Sequence, residues 1–128
     1  MKQRQSSSDL SSKDLAQLIV RGMQEKKAVD ITVMDLREIK NAVTDFFVIC
    51  SGNSDVQIDA IADSVEEETI KTANTRPWQR EGKTYKEWIL LDYVDVVVHV
   101  FKKDRRAYYD LELLWGDAIV TQIEESLA

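Results

Sequence analysis

An α/β (α+β) domain with a mixed β-sheet is the fold that this sequence predicts. Segments with a helical spacing of apolar residues alternate with short runs of β-branched residues, in the order α-β-β-α-β-β-β-α. Only Tyr93 and Val94 separate the last two strand-like runs, which is too short for a parallel crossover and predicts an antiparallel hairpin. A sheet of about five strands with helices packed on it is the simplest architecture that contains these elements.

A helix and a strand are predicted before residue 40. The helix begins at Ser11 or Ser12, where Ser11 and Asp14 form a weak capping pattern. Gly22 lies inside this helix, so the end of the helix either frays or packs closely on another element. Apolar and polar side chains alternate from residue 29 to about residue 36, as they do in a strand. The apolar residues of the helix recur at helical spacing and are Leu15, Leu18, Ile19 and Met23.

The middle of the chain predicts a buried strand followed by a capped helix. Residues 46–50 form a continuous apolar run, which is typical of a strand that is buried on both faces. Ser54, with Gln57 three residues later, has the spacing of a capping box and predicts the start of the second helix. Three consecutive glutamates at positions 66–68 predict a solvated face on this helix.

The last third of the chain predicts three strands and more helix. A short strand at residues 78–80 and a turn at residues 81–82 precede two longer strands at residues 87–93 and 95–101. A third helix is predicted from Arg105 or Arg106, and Gly116 breaks or kinks it before a final helical segment that runs to about residue 126.

Length and composition predict one soluble domain at residues 11–128, preceded by a flexible polar tail at residues 1–10. Hydrophobic residues make up 44% of the 128 residues and charged residues 31%. No apolar run approaches the roughly 20 residues that span a bilayer. The single cysteine, Cys50, lies in an apolar run, and a buried reduced thiol fits a cytoplasmic location.

The formal net charge of −6 bears on the kind of partner. Direct, sequence-independent binding of nucleic acid depends on Lys and Arg, so little such binding is expected. An acidic surface suits a basic protein partner better. The alternative is that the negative charge serves only to keep the protein soluble.

Nucleotidyl transfer is the enzymatic alternative, and the carboxylates that it needs are missing from the predicted strands. Two Mg²⁺ ions would require carboxylates two residues apart on one strand, where they share a face. Asp92 and Asp95 are three residues apart and flank a turn. Asp110 and Glu112 are two apart but lie on a predicted helix, where that spacing points them apart. The sequence therefore predicts no enzyme, no metal site and no cofactor.

Two other motifs have both a functional and a structural interpretation. The turn at residues 51–54 precedes a helix N-terminus that could hold a phosphate, but it has one glycine and no Walker lysine, so a helix cap is favoured. His99 shares a strand face with Val97 and Phe101 and has no second His or Cys cluster. A hydrogen-bonded histidine in the core or at a subunit interface is therefore favoured over a metal ligand or an acid–base catalyst.

A partner-binding surface is predicted on the strand at residues 87–93. If Ile89 and Leu91 face the core, then Trp88, Leu90 and Asp92 face the opposite side and form an apolar stripe beside a carboxylate. Such a stripe needs a covering element or a partner, and Trp and Tyr often anchor interfaces. The predicted contact residues are Trp88, Leu90, Asp92, Tyr93 and Asp95, with Tyr108, Tyr109 and Glu112 as secondary candidates.

This region resembles, in order, the signature of the ribosomal silencing factor family, also called the Iojap-like family. The matching segment has Trp88 through Asp92-Tyr93, then Asp-Val-Val-Val-His-Val-Phe from Asp95, and then Leu111-Glu112 and Leu114-Trp115. Shorter matches lie upstream, so that the resemblance covers roughly residues 15–118. The sequence departs from the family pattern at Val94, where glycine is usual, and at Val56, where a basic residue is usual.

The resemblance implies a pared-down nucleotidyltransferase fold and a function without turnover. Proteins of this family bind ribosomal protein L-fourteen on the free large ribosomal subunit and sterically block joining with the small subunit, so that translation falls when nutrients are scarce. Large-subunit maturation and homodimers are also associated with the family. The alternatives to this translation repressor are a nucleotidyltransferase-like enzyme and a dimeric adaptor module whose aromatic patch serves only dimerisation.

Overall fold

The described part of the chain forms a six-stranded mixed sheet, with two helices packed on one face of it. The structure, a computed structural model, describes residues 10–82, 87–103 and 118–124. The elements in chain order are α1 (Ser12–Glu25), β1 (Val29–Asp35), β2 (Phe46–Gly52), α2 (Asp55–Ala73), β3 (Gln79–Glu81), β4 (Trp88–Asp92), β5 (Val96–Lys102) and β6 (Ile119–Gln122). The strand order across the sheet is β3-β4-β5-β2-β1-β6. The predicted α+β class with a mixed sheet is confirmed, with six strands in place of about five.

Both helices begin at the serines that the sequence indicated. The Ser11 hydroxyl accepts a hydrogen bond from the Asp14 backbone N–H at 3.0 Å, and the Ser54 hydroxyl accepts one from Gln57 N–H at 3.1 Å. The Gln57 side chain does more, because its amide N–H groups donate to the backbone carbonyls of Lys26 and Lys27. One side chain therefore joins the end of α1 to the start of α2.

The two helices approach each other most closely at Gly22. A methyl group placed on Gly22 would lie 2.7 Å from the Cα of Val65, so only glycine allows this spacing. The Ser64 hydroxyl donates to the Gly22 carbonyl at 2.8 Å and fixes the contact. Of the two expectations for this part of α1, close packing is correct, and Gly22 is buried.

The glutamate run on α2 departs from its prediction as a solvated face. Glu67 is exposed, but Glu68 is buried. Its carboxylate lies 3.4 Å from the guanidinium of Arg21 on α1 and 3.6 Å from the ammonium of Lys71. A partner from another helix makes this burial possible, because a buried carboxylate needs a compensating charge and hydrogen bonds.

β2 is the central strand, as its apolar run indicated. All seven of its residues are buried, and it pairs in parallel with β5 and antiparallel with β1. Cys50 is a buried thiol within it and forms no disulfide. A strand with neighbours on both sides and packing on both faces favours a continuous apolar run, which residues 46–50 supply.

The predicted helical segment at the C-terminal end is wrong where the structure describes it. Ile119–Gln122 form strand β6, which pairs antiparallel with β1. Three consecutive β-branched residues, Ile119, Val120 and Thr121, fit an extended backbone better than a helix. Residues 1–9 of the predicted tail at residues 1–10 lie outside the described residues, as does the predicted third helix with Tyr108, Tyr109 and Glu112. Leu10, the last residue of that tail, is partly buried against the core. Within the described ranges, no helix has the length and apolar character to cross a membrane.

Candidate functional site

The predicted alternation on β4 is confirmed. Ile89 and Leu91 are buried on the helix side of the sheet, where they belong to the core that α1 and α2 cover. Trp88, Leu90 and Asp92 point to the opposite side and are half-buried. We call this opposite side the outer face; on β4 and β5 it carries Trp88, Leu90, Asp92, Val97, His99 and Phe101.

The hairpin register sets which outer-face residues meet. In the antiparallel pairing of β4 with β5, Trp88 lies opposite Phe101 and Leu90 lies opposite His99. Directly opposite residues in such a pair share a face and lie close enough for their side chains to touch. On the neighbouring strand β2, Ile49 is the partner of His99. His99 is therefore enclosed by apolar and aromatic neighbours.

An aromatic cluster surrounds His99. Its ring stacks on Trp88 with a centroid distance of 5.7 Å, and Phe101 is stacked against it at 6.1 Å. Phe47 meets the imidazole edge-on at 4.8 Å, and Trp88 and Phe101 stack on each other at 5.3 Å. Such ring pairs stabilise beyond the area that they bury, so these four side chains form one packed unit.

The Trp88 indole donates a hydrogen bond to His99. Its Nε1 lies 3.1 Å from Nδ1 of the imidazole. Because an indole nitrogen can only donate, Nδ1 must accept, and the neutral ring carries its proton on Nε2. The predicted hydrogen-bonded core histidine is thus confirmed, with a side chain that is 4% exposed. Nε2 has no hydrogen-bond partner among the described residues, and burial lowers the pKa of His99 to about 4.

Gly82 lies close against the backbone at the start of β4. Its φ of 103° lies in the region that side chains disfavour, and a methyl group there would clash with the backbone of Trp88 and Ile89. Glu81, which the sequence placed in a turn, is the last residue of β3, and Gly82 allows the end of β3 to lie close against the start of β4. Neither the sequence pattern of β4 nor its composition indicated this contact.

The turn after β4 is made by a valine where the resembled family usually has glycine. Val94 has a φ of 76°, which is unfavourable for a β-branched residue. Two hydrogen bonds hold it: Val94 N–H donates to the Asp92 carboxylate at 2.7 Å, and the Thr44 hydroxyl donates to the Val94 carbonyl at 2.9 Å. The hairpin is retained, and Thr44 is a supporting residue that no local sequence signal marked.

Tyr93 does not lie on the outer face, contrary to the prediction that placed it on the exposed side. It is 7% exposed, and its hydroxyl lies 3.0 Å from that of Thr69 on α2. Burial raises the pKa of Tyr93 to about 12. The reason is the alternation itself: Tyr93 follows Ile89 and Leu91 on the helix side, and it still pairs with Val96 through its backbone.

The two carboxylates of the predicted surface, those of Asp92 and Asp95, differ in their contacts with the rest of the protein. Asp92 is half-buried and accepts the Val94 N–H, so it supports the turn as well as facing outward. Asp95 has an exposed side chain, while its backbone carbonyl accepts hydrogen bonds from the N–H groups of Asp45 and Phe46. Four of the five predicted residues thus lie along one side of β4 and in the turn that follows it: Trp88, Leu90, Asp92 and Asp95. Tyr93 points to the helix side.

The turn before α2 acts as a helix cap. The Ser54 hydroxyl accepts from Gln57 N–H, and the Gln57 side-chain oxygen accepts from Asn53 N–H at 2.6 Å. The carboxylate of Asp55 in the first helical turn pairs with Lys102 at 3.0 Å. The N–H groups of Asn53 and Gln57 are thus paired within the cap, and the helix-cap interpretation of this motif is confirmed.

A groove of about 350 Å³ lies between α1 and strands β1 and β6. Its charged side chains include Arg37, whose guanidinium holds the Asp35 carboxylate at 2.8 and 3.0 Å and lowers the pKa of that carboxyl. A guanidinium committed to a bidentate pair is not available for an anionic substrate. In the described part of the chain, no three His, Cys, Asp or Glu side chains come together as metal ligands.

Comparison with known proteins reveals a similarity over nearly the whole chain. Residues 9–128 match the family described as ribosomal silencing factor during starvation. The chain is 41% identical over 115 residues to a ribosomal silencing factor of Halalkalibacterium halodurans, which covers 90% of this chain and 97% of that protein. It is 38% identical to that of Bacillus subtilis, over 90% and 96% of the two chains. A crystal structure of a protein from Chromobacterium violaceum superimposes with a TM-score of 0.76 at 29% identity and covers 92% of this chain and 94% of that one.

Proposed function

The chain belongs to the ribosomal silencing factor family, and on that premise we propose that it binds ribosomal protein L-fourteen on the free large ribosomal subunit. The bound protein would occupy the surface that the small subunit needs, and so repress translation by steric exclusion without turnover. Large-subunit maturation is a second role that the same binding would serve. We propose a cytoplasmic location for this activity and a homodimer as one form of the protein.

The outer face of β4 is the observation that carries the proposal. It presents a half-buried tryptophan and leucine in line with the carboxylate of Asp92, and the exposed carboxylate of Asp95 follows at the turn. Interfaces combine such aromatic anchors with a polar rim. The net charge of −6 favours a basic partner, and complementary charge raises both the rate and the specificity of association.

Trp88 is the residue on which binding should depend most. We expect Trp88→Ala to weaken binding to purified L-fourteen by about 2 kcal/mol or more, which is roughly thirtyfold in affinity. Because Trp88 also stacks on Phe101, the variant will lose some stability, and its folded fraction must be measured by thermal unfolding. Trp78, which is 73% exposed and lies outside the outer face, supplies the matched Trp→Ala control.

Two substitutions of Asp92 separate the effect of its charge on binding from the effect of its hydrogen bond in the turn. Asp92→Lys reverses the charge but also removes the acceptor for Val94 N–H, whereas Asp92→Asn removes the charge and keeps an acceptor oxygen. We expect both variants to bind L-fourteen more weakly, the lysine variant more so. The difference from wild type should shrink as salt is raised, because screening weakens the attraction between exposed charges.

Co-sedimentation tests the proposal as a whole. The wild-type protein is expected to sediment with free large subunits, not with small subunits, and far less with joined ribosomes. Trp88→Ala should lose this association while Trp78→Ala keeps it. Equal binding to joined ribosomes and free large subunits would contradict the steric mechanism, and normal binding by a folded Trp88→Ala variant would place the interface elsewhere.

A further inference from the structure

We propose that His99 is a positioning residue for Trp88, and that its imidazole holds the indole ring in the orientation that the partner recognises. This inference rests on the proposed function, in which Trp88 anchors the protein on the large subunit. It assigns to the single histidine of the chain a role in binding that requires no contact with the partner.

The geometry fixes the indole in two ways. The hydrogen bond of 3.1 Å from Trp88 Nε1 to His99 Nδ1 sets which edge of the indole points into the sheet. Stacking on His99 and on Phe101, with interplanar angles of 25° and 23°, sets the plane of the ring. Together these contacts specify the ring orientation of a side chain that is only half-buried.

The choice of histidine at this position needs an explanation beyond packing. His99 lies among Phe47, Phe101 and Ile49, where a phenylalanine would bury an apolar ring of similar size. The imidazole instead leaves its Nε2 without a hydrogen-bond partner among the described residues, which is unfavourable for a buried polar atom. What the imidazole provides in return is an acceptor for the indole N–H.

An ordered anchor binds better than a mobile one. A tryptophan that samples several rotamers before binding loses that freedom in the complex, and the loss subtracts from affinity. Removing the acceptor should therefore weaken binding by about three- to tenfold, the range that one lost hydrogen bond represents. It should not reduce the folding stability in proportion, because a buried phenylalanine removes an unsatisfied polar atom.

The test compares His99→Phe with Ile49→Val, a packing change beside His99 on the same face that leaves the hydrogen bond intact. The indole N–H signals of the free proteins are recorded by NMR with labelled tryptophan, and that of Trp88 is identified by its loss in Trp88→Phe. Binding to purified L-fourteen is then titrated for wild type, both single variants, Trp88→Phe and the Trp88→Phe/His99→Phe double variant.

We expect His99→Phe to move the Trp88 indole signal and speed its hydrogen exchange, while Ile49→Val leaves both unchanged. His99→Phe should also weaken binding, and this loss should vanish in the Trp88→Phe background. An unmoved indole signal, or the same loss of binding in both backgrounds, would overturn the inference. Absence of binding by the wild-type protein would overturn the proposed function instead, and the indole signal would still decide whether His99 positions Trp88.

Discussion

The two faces of the sheet are packed by different chemistry. The helix face is mainly aliphatic. Leu91 and Val98 of the sheet belong to one core cluster with Ile61 and Val65 of α2, all at 0% exposure. The outer face holds the cluster of Trp88, His99, Phe101 and Phe47, which has one residue half-buried. The outer face also buries aliphatic side chains, among them Met34 and Ile49 at 0% exposure, but it leaves the aromatic side chain of Trp88 partly exposed.

Tyr93 on the helix face and His99 on the outer face are both buried rings with polar atoms. They differ in whether all of these atoms have hydrogen-bond partners. On the helix face the Tyr93 hydroxyl has Thr69 as its partner. On the outer face His99 uses Nδ1 for the indole, while its Nε2 has no partner among the described residues. The comparison indicates that the helix face provides stability, and that the outer face gives up some stability for an oriented surface residue.

The largest expected effect comes from a cavity on the helix face. Ile61→Ala should lower the free energy of unfolding by about 3–4 kcal/mol. The side chain is fully buried, and its removal leaves a cavity that the neighbouring side chains fill only in part. Leu90→Ala on the outer face should cost only about 1 kcal/mol, since Leu90 is half-buried. Urea denaturation of both variants measures the difference, and equal costs would contradict the division of roles between the faces.

Low pH should lower the free energy of unfolding through His99 on the outer face. The pKa of His99 is about 4 in the folded protein and near 6.5 when unfolded, so the unfolded state binds the proton more readily. Its contribution of about 3 kcal/mol is complete above pH 6.5 and is lost as the pH falls to about 4. Denaturation of wild type and His99→Phe across this range isolates the effect, because the carboxylates titrate in both proteins. Parallel pH profiles would show that His99 does not ionise on unfolding.

High pH should lower the free energy of unfolding through Tyr93 on the helix face. Its pKa is about 12 in the folded protein against about 10 unfolded, so the unfolded state loses the proton first. Stability from this group, of the order of 2.5 kcal/mol, is present below pH 10 and is lost as the pH rises to about 12. Tyr93→Phe lacks the ionisable group and should show a flatter alkaline profile in the same unfolding measurement. An unchanged profile would indicate that Tyr93 is open to water.

The smallest expected effect is a gain at the turn that ends β4. Val94→Gly removes the strain of a β-branched residue at a φ of 76°, and should raise the free energy of unfolding by about 1 kcal/mol after the entropy of the added glycine is subtracted. Val94→Ala keeps the Cβ and should gain less. A loss of stability in the glycine variant would mean that the contacts of the valine side chain outweigh its backbone strain.

Much of the candidate site could be predicted because it depends on spacing along one strand. A period of two places Trp88, Leu90 and Asp92 on one face wherever β4 lies in the fold. The same rule places the Tyr93 side chain on the helix side of the sheet, but the turn was expected at Tyr93-Val94. The turn is in fact at Val94-Asp95, one residue later, and the backbone hydrogen bond from Tyr93 N–H to the Val96 carbonyl closes it. With that register, the pairing of Leu90 with His99 also follows from the sequence.

The sequence by itself determined the caps of α1 and α2, the central place of β2, the hairpin of β4 with β5 and the outward row on β4. Each of these depends on residues that are close in the chain, where geometry allows few alternatives. Only the tertiary structure decided that Arg21 would allow Glu68 to be buried, that residues 119–122 would pair with β1, and that Thr44 would hold Val94. These outcomes depend on segments up to 90 residues apart, as in the Thr32–Gln122 hydrogen bond, and no local pattern specifies which distant segment becomes a neighbour.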